Sequence, residues 1–209
     1  MTHTPEVLIV STGVANTASV IAGLHRAGAT TQLTTSPQAV LDAPYVVMPG
    51  VGAFAAGMET LRQHGLDRAL IERIGAAKPT LAVCLGLQLL ARSSQESPGE
   101  QGLGILPVDV ERFAPDAGRV PQMGWNQVTA DPTCALLTDG AAYYANSYRI
   151  AQQPLPEGWS AATTHYGGQF IAAVERGAVL ACQFHPELSG AWGTALLRRW
   201  LTQGGNTPC

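Results

Sequence analysis

The chain has 209 residues, of which 46% are hydrophobic and 13% charged, with a formal net charge of −3. That length suffices to bury one continuous core, and a mildly acidic balance without runs of like charge excludes the electrostatic footprint of a nucleic-acid or anionic-membrane binder. No apolar stretch is long enough to span a bilayer, and the opening Met-Thr-His-Thr-Pro-Glu lacks the basic and apolar regions of a signal peptide, so a single cytoplasmic domain over residues 1–209 is expected.

Residues 7–10 form a short aliphatic run that reads as a strand. After a Gly- and Asn-containing turn, residues 19–27 carry Val20, Ile21, Leu24 and Ala27 at helical spacing. Residues 30–35 are β-prone, and residues 45–48 are a buried-strand candidate that stops at Pro49-Gly50. A helical pattern over 54–74 breaks at Gly65, followed by a strand at 81–83 and a helix-forming stretch from Cys84 to Ala91. Short aliphatic strands alternating with helices predict an α/β fold with a mostly parallel central sheet flanked by helices. Beyond a polar loop at 93–104 the chain turns strand-rich, at 106–113, 143–145, 160–164, 169–174 and 179–183, which predicts additional antiparallel strands in the second half. Residues 191–201 close the chain as a helix with Trp192, Leu196, Leu197 and Trp200 on a core-facing stripe.

The four cysteines, at 84, 134, 182 and 209, show no C-x-x-C pairing, so neither a zinc site nor a disulfide framework is expected, and no metal or cofactor is called for. Cys134, Cys182 and Cys209 read as small apolar residues. Cys84 differs because it sits where the 81–83 strand gives way to the helix. There, unpaired N–H groups and the helix dipole favour a thiolate and can receive an oxyanion, while Gly86 allows a tight turn and close approach of a substrate. A nucleophilic thiol needs a base. His3 is near a terminus, and His25 and His64 lie in helical segments, whereas His185 follows an apolar strand and precedes Pro186, which cannot continue a central strand, placing the imidazole where a strand ends at a sheet edge. Ligands collect at the carboxyl ends of strands in open α/β sheets, so Cys84 and His185 can face one pocket. Glu187, two residues on, leaves an extended chain on the same face as His185 and can accept the second imidazole N–H, completing a Cys-His-Glu triad. The competing reading of His-Pro-Glu is a polar turn after a strand. Pro49-Gly50-Val51-Gly52 can expose peptide N–H groups for an oxyanion beside the Leu85 N–H, and its competing reading is an ordinary turn.

Cys-Leu-Gly-Leu-Gln at 84–88 together with Phe-His-Pro-Glu at 184–187 resembles the class I, triad-type glutamine amidotransferases. Within that class Pro-Gly-Val-Gly-Ala-Phe at 49–54, Val-Pro-Gln-Met-Gly-Trp-Asn at 120–126 and Asn-Ser-Tyr at 146–148 are similar to the glutaminase subunits of imidazole glycerol phosphate synthases. The resemblance implies Cys84 as nucleophile, His185 as general base and acid, and Glu187 as orienting carboxylate. It implies an oxyanion hole from the backbone of Val51, Gly52 and Leu85, and contacts to L-glutamine from Gly50, Gln88, Asn146, Ser147 and Tyr148. A loop of Met123, Gly124, Trp125 and Asn126 would face the partner, a separate β/α-barrel cyclase that takes the ammonia in a heterodimer and makes imidazole glycerol phosphate and AICAR in histidine biosynthesis. The partner is further implied to set the oxyanion loop.

The sequence departs from the family pattern at Ala82, where glycine is usual, at residues 11–16, at Asn146, where histidine is common, and at Leu188, where lysine is common. These bear on docking and regulation. A glutaminase for another synthase, of the pyridoxal phosphate or anthranilate type, and a non-catalytic regulatory subunit of the same fold are the other readings.

Overall fold

A computed structural model describes residues 4–11 and 17–204; His3, the departures at 12–16 and Cys209 lie outside them. The first half alternates β1 (Glu6–Val10), α1 (Thr17–Ala27), β2 (Thr30–Thr34), α2 (Pro37–Asp42), β3 (Tyr45–Met48), α3 (Phe54–Gln63), α4 (Leu66–Gly75), β4 (Thr80–Val83) and α5 (Leu85–Leu89). The second half runs through β5 (Ser93–Ser94), β6 (Asp109–Arg112), β7 (Gln122–Ala130), β8 (Gly140–Asn146), β9 (Tyr148–Arg149), β10 (Ser160–His165), β11 (Gln169–Arg176), β12 (Val179–Cys182), a 3-10 turn at Pro186–Leu188 and α6 (Gly190–Gly204). Nine strands form one sheet in the order β2-β1-β3-β4-β12-β11-β10-β7-β8. The first five are mutually parallel and the rest join antiparallel, as the change of character along the chain predicts. β5, β6 and β9 make a second, small sheet.

Because side chains alternate across a strand, the two faces of the large sheet collect separate cores. Val7, Ile9, Val47, Leu81 and Val83 pack under α1 and α6 with Leu24, Leu196, Leu197 and Trp200. Val10, Val46, Met48 and Ala82 pack under α3 and α4 with Phe54, Met58, Leu61, Leu70 and Ile74. Trp200 is wholly buried and donates its indole N–H to the Ala178 carbonyl at 2.9 Å, so the α6 stripe is core as its spacing implies, and truncating this tryptophan to alanine costs about 3–5 kcal/mol. Gly65 takes φ 67° and separates α3 from α4, at the break read from the sequence.

The sequence reading does not anticipate α2, β7 or the two-residue strands β5 and β9. α2 starts from Ser36, whose hydroxyl accepts the Ala39 N–H at 3.3 Å, with Pro37 in the first turn, a capping signal overlooked because the helix has only six residues. β7 is the segment read as a Met-Gly-Trp-Asn loop; it pairs with β8 from Gln122↔Asn146 to Val128↔Gly140. α5 ends earlier than the expected helix through Ala91 because the carbonyls of Leu89, Leu90 and Ala91 accept the N–H groups of Leu103, Leu106 and Gly104, which leaves none for another helical turn. Among the described residues no helix is long and apolar enough to cross a membrane, and none form a cluster of three or more His, Cys, Asp or Glu suited to a metal.

Candidate active site

β4 delivers Cys84 to the carboxyl end of the parallel sheet, and its N–H donates to the Cys182 carbonyl of neighbouring β12 at 2.7 Å. Cys84 adopts φ 54° and ψ −108°, a conformation costing a non-glycine residue of order 1–3 kcal/mol that persists only where the surroundings enforce it. The turn lifts the sulfur above the strand ends at the mouth of α5. With five residues, α5 supplies local N–H groups more than a full macrodipole. Gly86 has a different purpose from the turn expected of it: a Cβ there would lie 2.5 Å from the Met48 carbonyl oxygen, and one on Gly50 would lie 2.3 Å from the Gly86 nitrogen. Both glycines exist so that β3, its following loop and α5 can touch. The methyl of Ala82 is 3.4 Å from the Cβ position of Gly86, ordinary contact, so this departure fits without displacing the elbow.

β12 is a central strand between β4 and β11, so His185 lies at a carboxyl end in the middle of the sheet instead of at an edge. Its backbone N–H donates to the Tyr143 carbonyl at 2.9 Å; the Tyr143 N–H donates to the Ser189 hydroxyl at 2.9 Å, which in turn donates to the His185 carbonyl at 2.6 Å. Edge strand β8 thereby clamps the histidine. The chain from Pro186 to Leu188 is a 3-10 turn and not the extended segment expected, yet Nδ1 of His185 meets Oε1 of Glu187 at 2.8 Å. Glu187 can turn inward because α1 presents Gly23 to it: a Cβ at 23 would sit 2.5 Å from the Glu187 Cβ. Arg26 fixes the same turn by donating to the Glu187 carbonyl oxygen at 2.7 Å.

Cys84, His185 and Glu187 are 9%, 8% and 7% exposed, so all three are largely shielded from bulk solvent. Burial disfavours the imidazolium of His185, but hydrogen bonding and charge attraction from Cys84 and Glu187 outweigh it and raise the pKa from 6.5 to about 10. The arrangement therefore favours the charged imidazolium beside the Cys84 sulfur.

A cavity of about 270 Å³ is lined by Cys84 and His185 together with Gly50, Val51, Gly52, Leu85, Gln88, Asn146, Ser147 and Tyr148, which gathers every residue expected to bind glutamine or its oxyanion. Gln88 and Asn146 both donate to the Tyr148 carbonyl, at 3.2 and 3.0 Å, and Oδ1 of Asn146 is buried without a partner. The Leu85 N–H does not stand free: it donates to the Gly50 carbonyl at 3.4 Å, so one expected oxyanion donor is covered by the 49–52 loop. Sequence reasoning missed Glu96, the only carboxylate among the described residues that line this cavity. It comes from the polar 93–104 loop and accepts the Phe54 N–H at the start of α3 at 2.7 Å, a contact 42 residues away along the chain that no local motif announces.

A second cavity of about 190 Å³ shares Gly50, Val51, Ala145 and His185 with the first and continues past Val20, Glu187 and Leu188. Leu188, Met123 and Trp125 are exposed by 43%, 68% and 59%, and Trp125 stacks edge-on with Tyr143 at 6.3 Å and approaches Gly190. Asn126, grouped with them from the sequence, instead donates to the His165 carbonyl at 2.8 Å, and Gly124, at φ 134°, supplies backbone freedom between the two exposed side chains. A larger cavity of about 390 Å³ lies at the opposite end of β12 beside Glu175 and Arg176. Its carboxylate already accepts the N–H groups of Ala135, Leu136 and Leu137, so this cavity is not where the nucleophile works.

A family model described as "Glutamine amidotransferase class-I" matches residues 7–203. The imidazole glycerol phosphate synthase subunit HisH of Synechococcus sp. (strain JA-2-3B'a(2-13)) is 44% identical over 193 residues, covering 89% of this chain and 87% of that protein. The corresponding subunit of Deinococcus radiodurans is 41% identical over 199 residues, covering 92% and 91%. The chloroplastic imidazole glycerol phosphate synthase hisHF of Arabidopsis thaliana is 39% identical over 93% of this chain but only 34% of that longer protein. A solved structure described as "Crystal structure of glutamine amidotransferase" superposes with a TM-score of 0.73 over 95% of this chain and 98% of its own, at 21% identity, and shares the fold.

Proposed function

We propose, because the chain belongs to the class I glutamine amidotransferase family, that it is the glutaminase subunit of an imidazole glycerol phosphate synthase of histidine biosynthesis, hydrolysing L-glutamine and passing the ammonia to a cyclase. The observation that carries the chemistry is one imidazole held at 2.8 Å by a buried carboxylate and sharing a cavity with the sulfur of Cys84. The choice of synthase is supported by relatives at 41–44% identity over about nine-tenths of the chain. The cyclase is supported by the plant relative, in which the matched part is about a third of a longer polypeptide named hisHF.

In the proposed reaction the thiolate of Cys84 attacks the carboxamide carbon, and the oxygen takes up the electron pair as an oxyanion. Backbone N–H groups at Leu85 and in the 51–52 loop receive it once the Gly50 carbonyl turns away from Leu85. His185, with Nδ1 held by Glu187, presents Nε2 to the nitrogen and protonates it, and ammonia leaves as the C–N bond breaks. The neutral imidazole then takes a proton from water, whose oxygen attacks the glutamyl thioester; collapse expels the Cys84 thiolate and releases glutamate. Gln88 and the 146–148 segment position the substrate, and Glu96 is suited to its α-ammonium. Ammonia would leave through the second cavity toward the face bearing Met123, Trp125 and Leu188, where apolar exposure suits a docked β/α-barrel cyclase.

Glutamate release measured with and without a cyclase and its ligand tests this reading. The covered Leu85 N–H predicts slow release by the chain alone and a marked rise on adding the cyclase. No release in either condition would overturn the glutaminase assignment, and full rate alone would overturn partner control of the 49–52 loop.

A further inference from the structure

Gln183 follows β12 immediately, is wholly buried, and is neither part of the His-Pro-Glu segment nor a wall of the glutamine cavity. Its backbone N–H is fixed to the Ala172 carbonyl at 2.8 Å. Among the described residues its side-chain amide has two hydrogen-bond partners: Oε1 accepts the Gln88 Nε2 hydrogen at 2.9 Å, and Nε2 points to the sulfur of Cys84 at 3.7 Å. A buried amide is costly unless its polar atoms are used, so these contacts account for a polar residue in this position.

The orientation of the amide is dictated from the backbone outward. The carbonyl of Tyr148 can only accept, so the Gln88 group facing it at 3.2 Å must be its NH2. The same NH2 meets Gln183, which must therefore answer with its oxygen, and that leaves the Gln183 NH2 facing Cys84. We propose that, given the glutaminase reading of this site, Gln183 is a further member of the catalytic apparatus, donating an N–H to the Cys84 sulfur and linking the nucleophile to the substrate-binding Gln88. His185 exchanges a proton with the substrate during the reaction; Gln183 does not titrate, so its hydrogen bond stays available to the sulfur both as the initial thiolate and as the thiolate expelled from the thioester. A hydrogen bond from a neutral donor is worth most when the acceptor is charged, which favours these two states over the covalent one and steers the sulfur in the elbow.

The test uses alkylation of Cys84 by iodoacetamide at pH 7, followed by mass spectrometry, with Cys84→Ala as the blank and with neither glutamine nor cyclase present. Gln183→Glu is isosteric and keeps an acceptor for Gln88 but removes the donor facing sulfur; Gln183→Met keeps the volume and removes both contacts. Both are expected to slow labelling about tenfold, the loss of one charge-assisted hydrogen bond. In the complete synthase both lower glutamine-dependent kcat; Gln183→Glu, which keeps the acceptor for the substrate-binding Gln88, changes KM by less than about twofold, whereas Gln183→Met, which frees Gln88, lowers kcat and raises KM as well. Gln88→Leu leaves Gln183 in place without its anchor and also slows labelling, although no glutamine is in the assay. Labelling of folded Gln183→Met or Gln88→Leu at the wild-type rate, or an activity loss confined to KM, would overturn the proposal. Thiol labelling does not depend on which amide the enzyme hydrolyses, so failure of the glutaminase reading would show separately, as absent glutamate release by the unsubstituted protein.

Discussion

Replacing Glu187 by Gln removes a charge while leaving an oxygen that can still accept from Nδ1 of His185. The imidazole of the unsubstituted protein has its pKa raised from 6.5 to about 10 against the penalty of burial, through Cys84 and Glu187. Removing one opposite charge within contact distance moves a titration midpoint by about 1–3 pH units, so Glu187→Gln is expected to lower the His185 midpoint by that amount. Because the folded-state pKa is raised, the imidazolium contributes stability that is fully present below about pH 6.5 and is lost as pH rises through about 10. In Glu187→Gln the same loss ends at a lower pH. Titration of isotopically labelled histidine by NMR reads the midpoint directly, with His185→Asn identifying the resonance, and urea melts across pH 6–10.5 read the linked stability. Activity should fall at least about a hundredfold at pH 7, since the carboxylate also supports the imidazolium formed during catalysis. A folded Glu187→Gln protein whose His185 midpoint stays near that of the parent would refute the assignment of Glu187 as the supporting charge.

Gly23→Ala should destabilise by about 1–3 kcal/mol as overpacking, and should lower activity more than its stability loss explains, because the new methyl would lie 2.5 Å from the Glu187 Cβ; a thermal melt and an activity assay on the same sample separate the two, and an unchanged kcat would contradict the role given to Gly23. Trp125→Ala, which trims a side chain 59% exposed, should raise the Kd for the cyclase by about thirtyfold or more if it is an anchor of the docking face, as calorimetry would measure; unaltered binding would place the interface elsewhere.

How much of this was legible in the sequence depends on how far apart the interacting residues are. The β3 boundaries at Tyr45 and Met48, the break at Gly65 and the core stripe of α6 are local signals of hydropathy, glycine freedom and spacing, and the structure keeps all three. The meeting of Cys84 with His185 was accessible because both stand at carboxyl ends of apolar strands, which the fold class brings to one rim. β7 escaped because apolar Met123 and Trp125 stand on its exposed face and Gly124 lies between them, which disguises the strand alternation. The 3-10 turn at Pro186 shows a limit of another kind: the expected His185–Glu187 contact is present, but through a local geometry different from the extended one that suggested it. Glu96 and Gln183 were beyond reach, because what distinguishes them is a contact with Phe54 in one case and with Gln88 and Cys84 in the other.

The proposed role of the protein turns on whether the thiol of Cys84 liberates ammonia for a second active site. The most direct measurement is synthase turnover by Cys84→Ala assembled with the cyclase and its acceptor, run once with glutamine and once with ammonium salt. Glutamine-dependent turnover should vanish while ammonium-dependent turnover stays at the level of the unsubstituted complex. Persistence of the glutamine reaction, or loss of both, would contradict it.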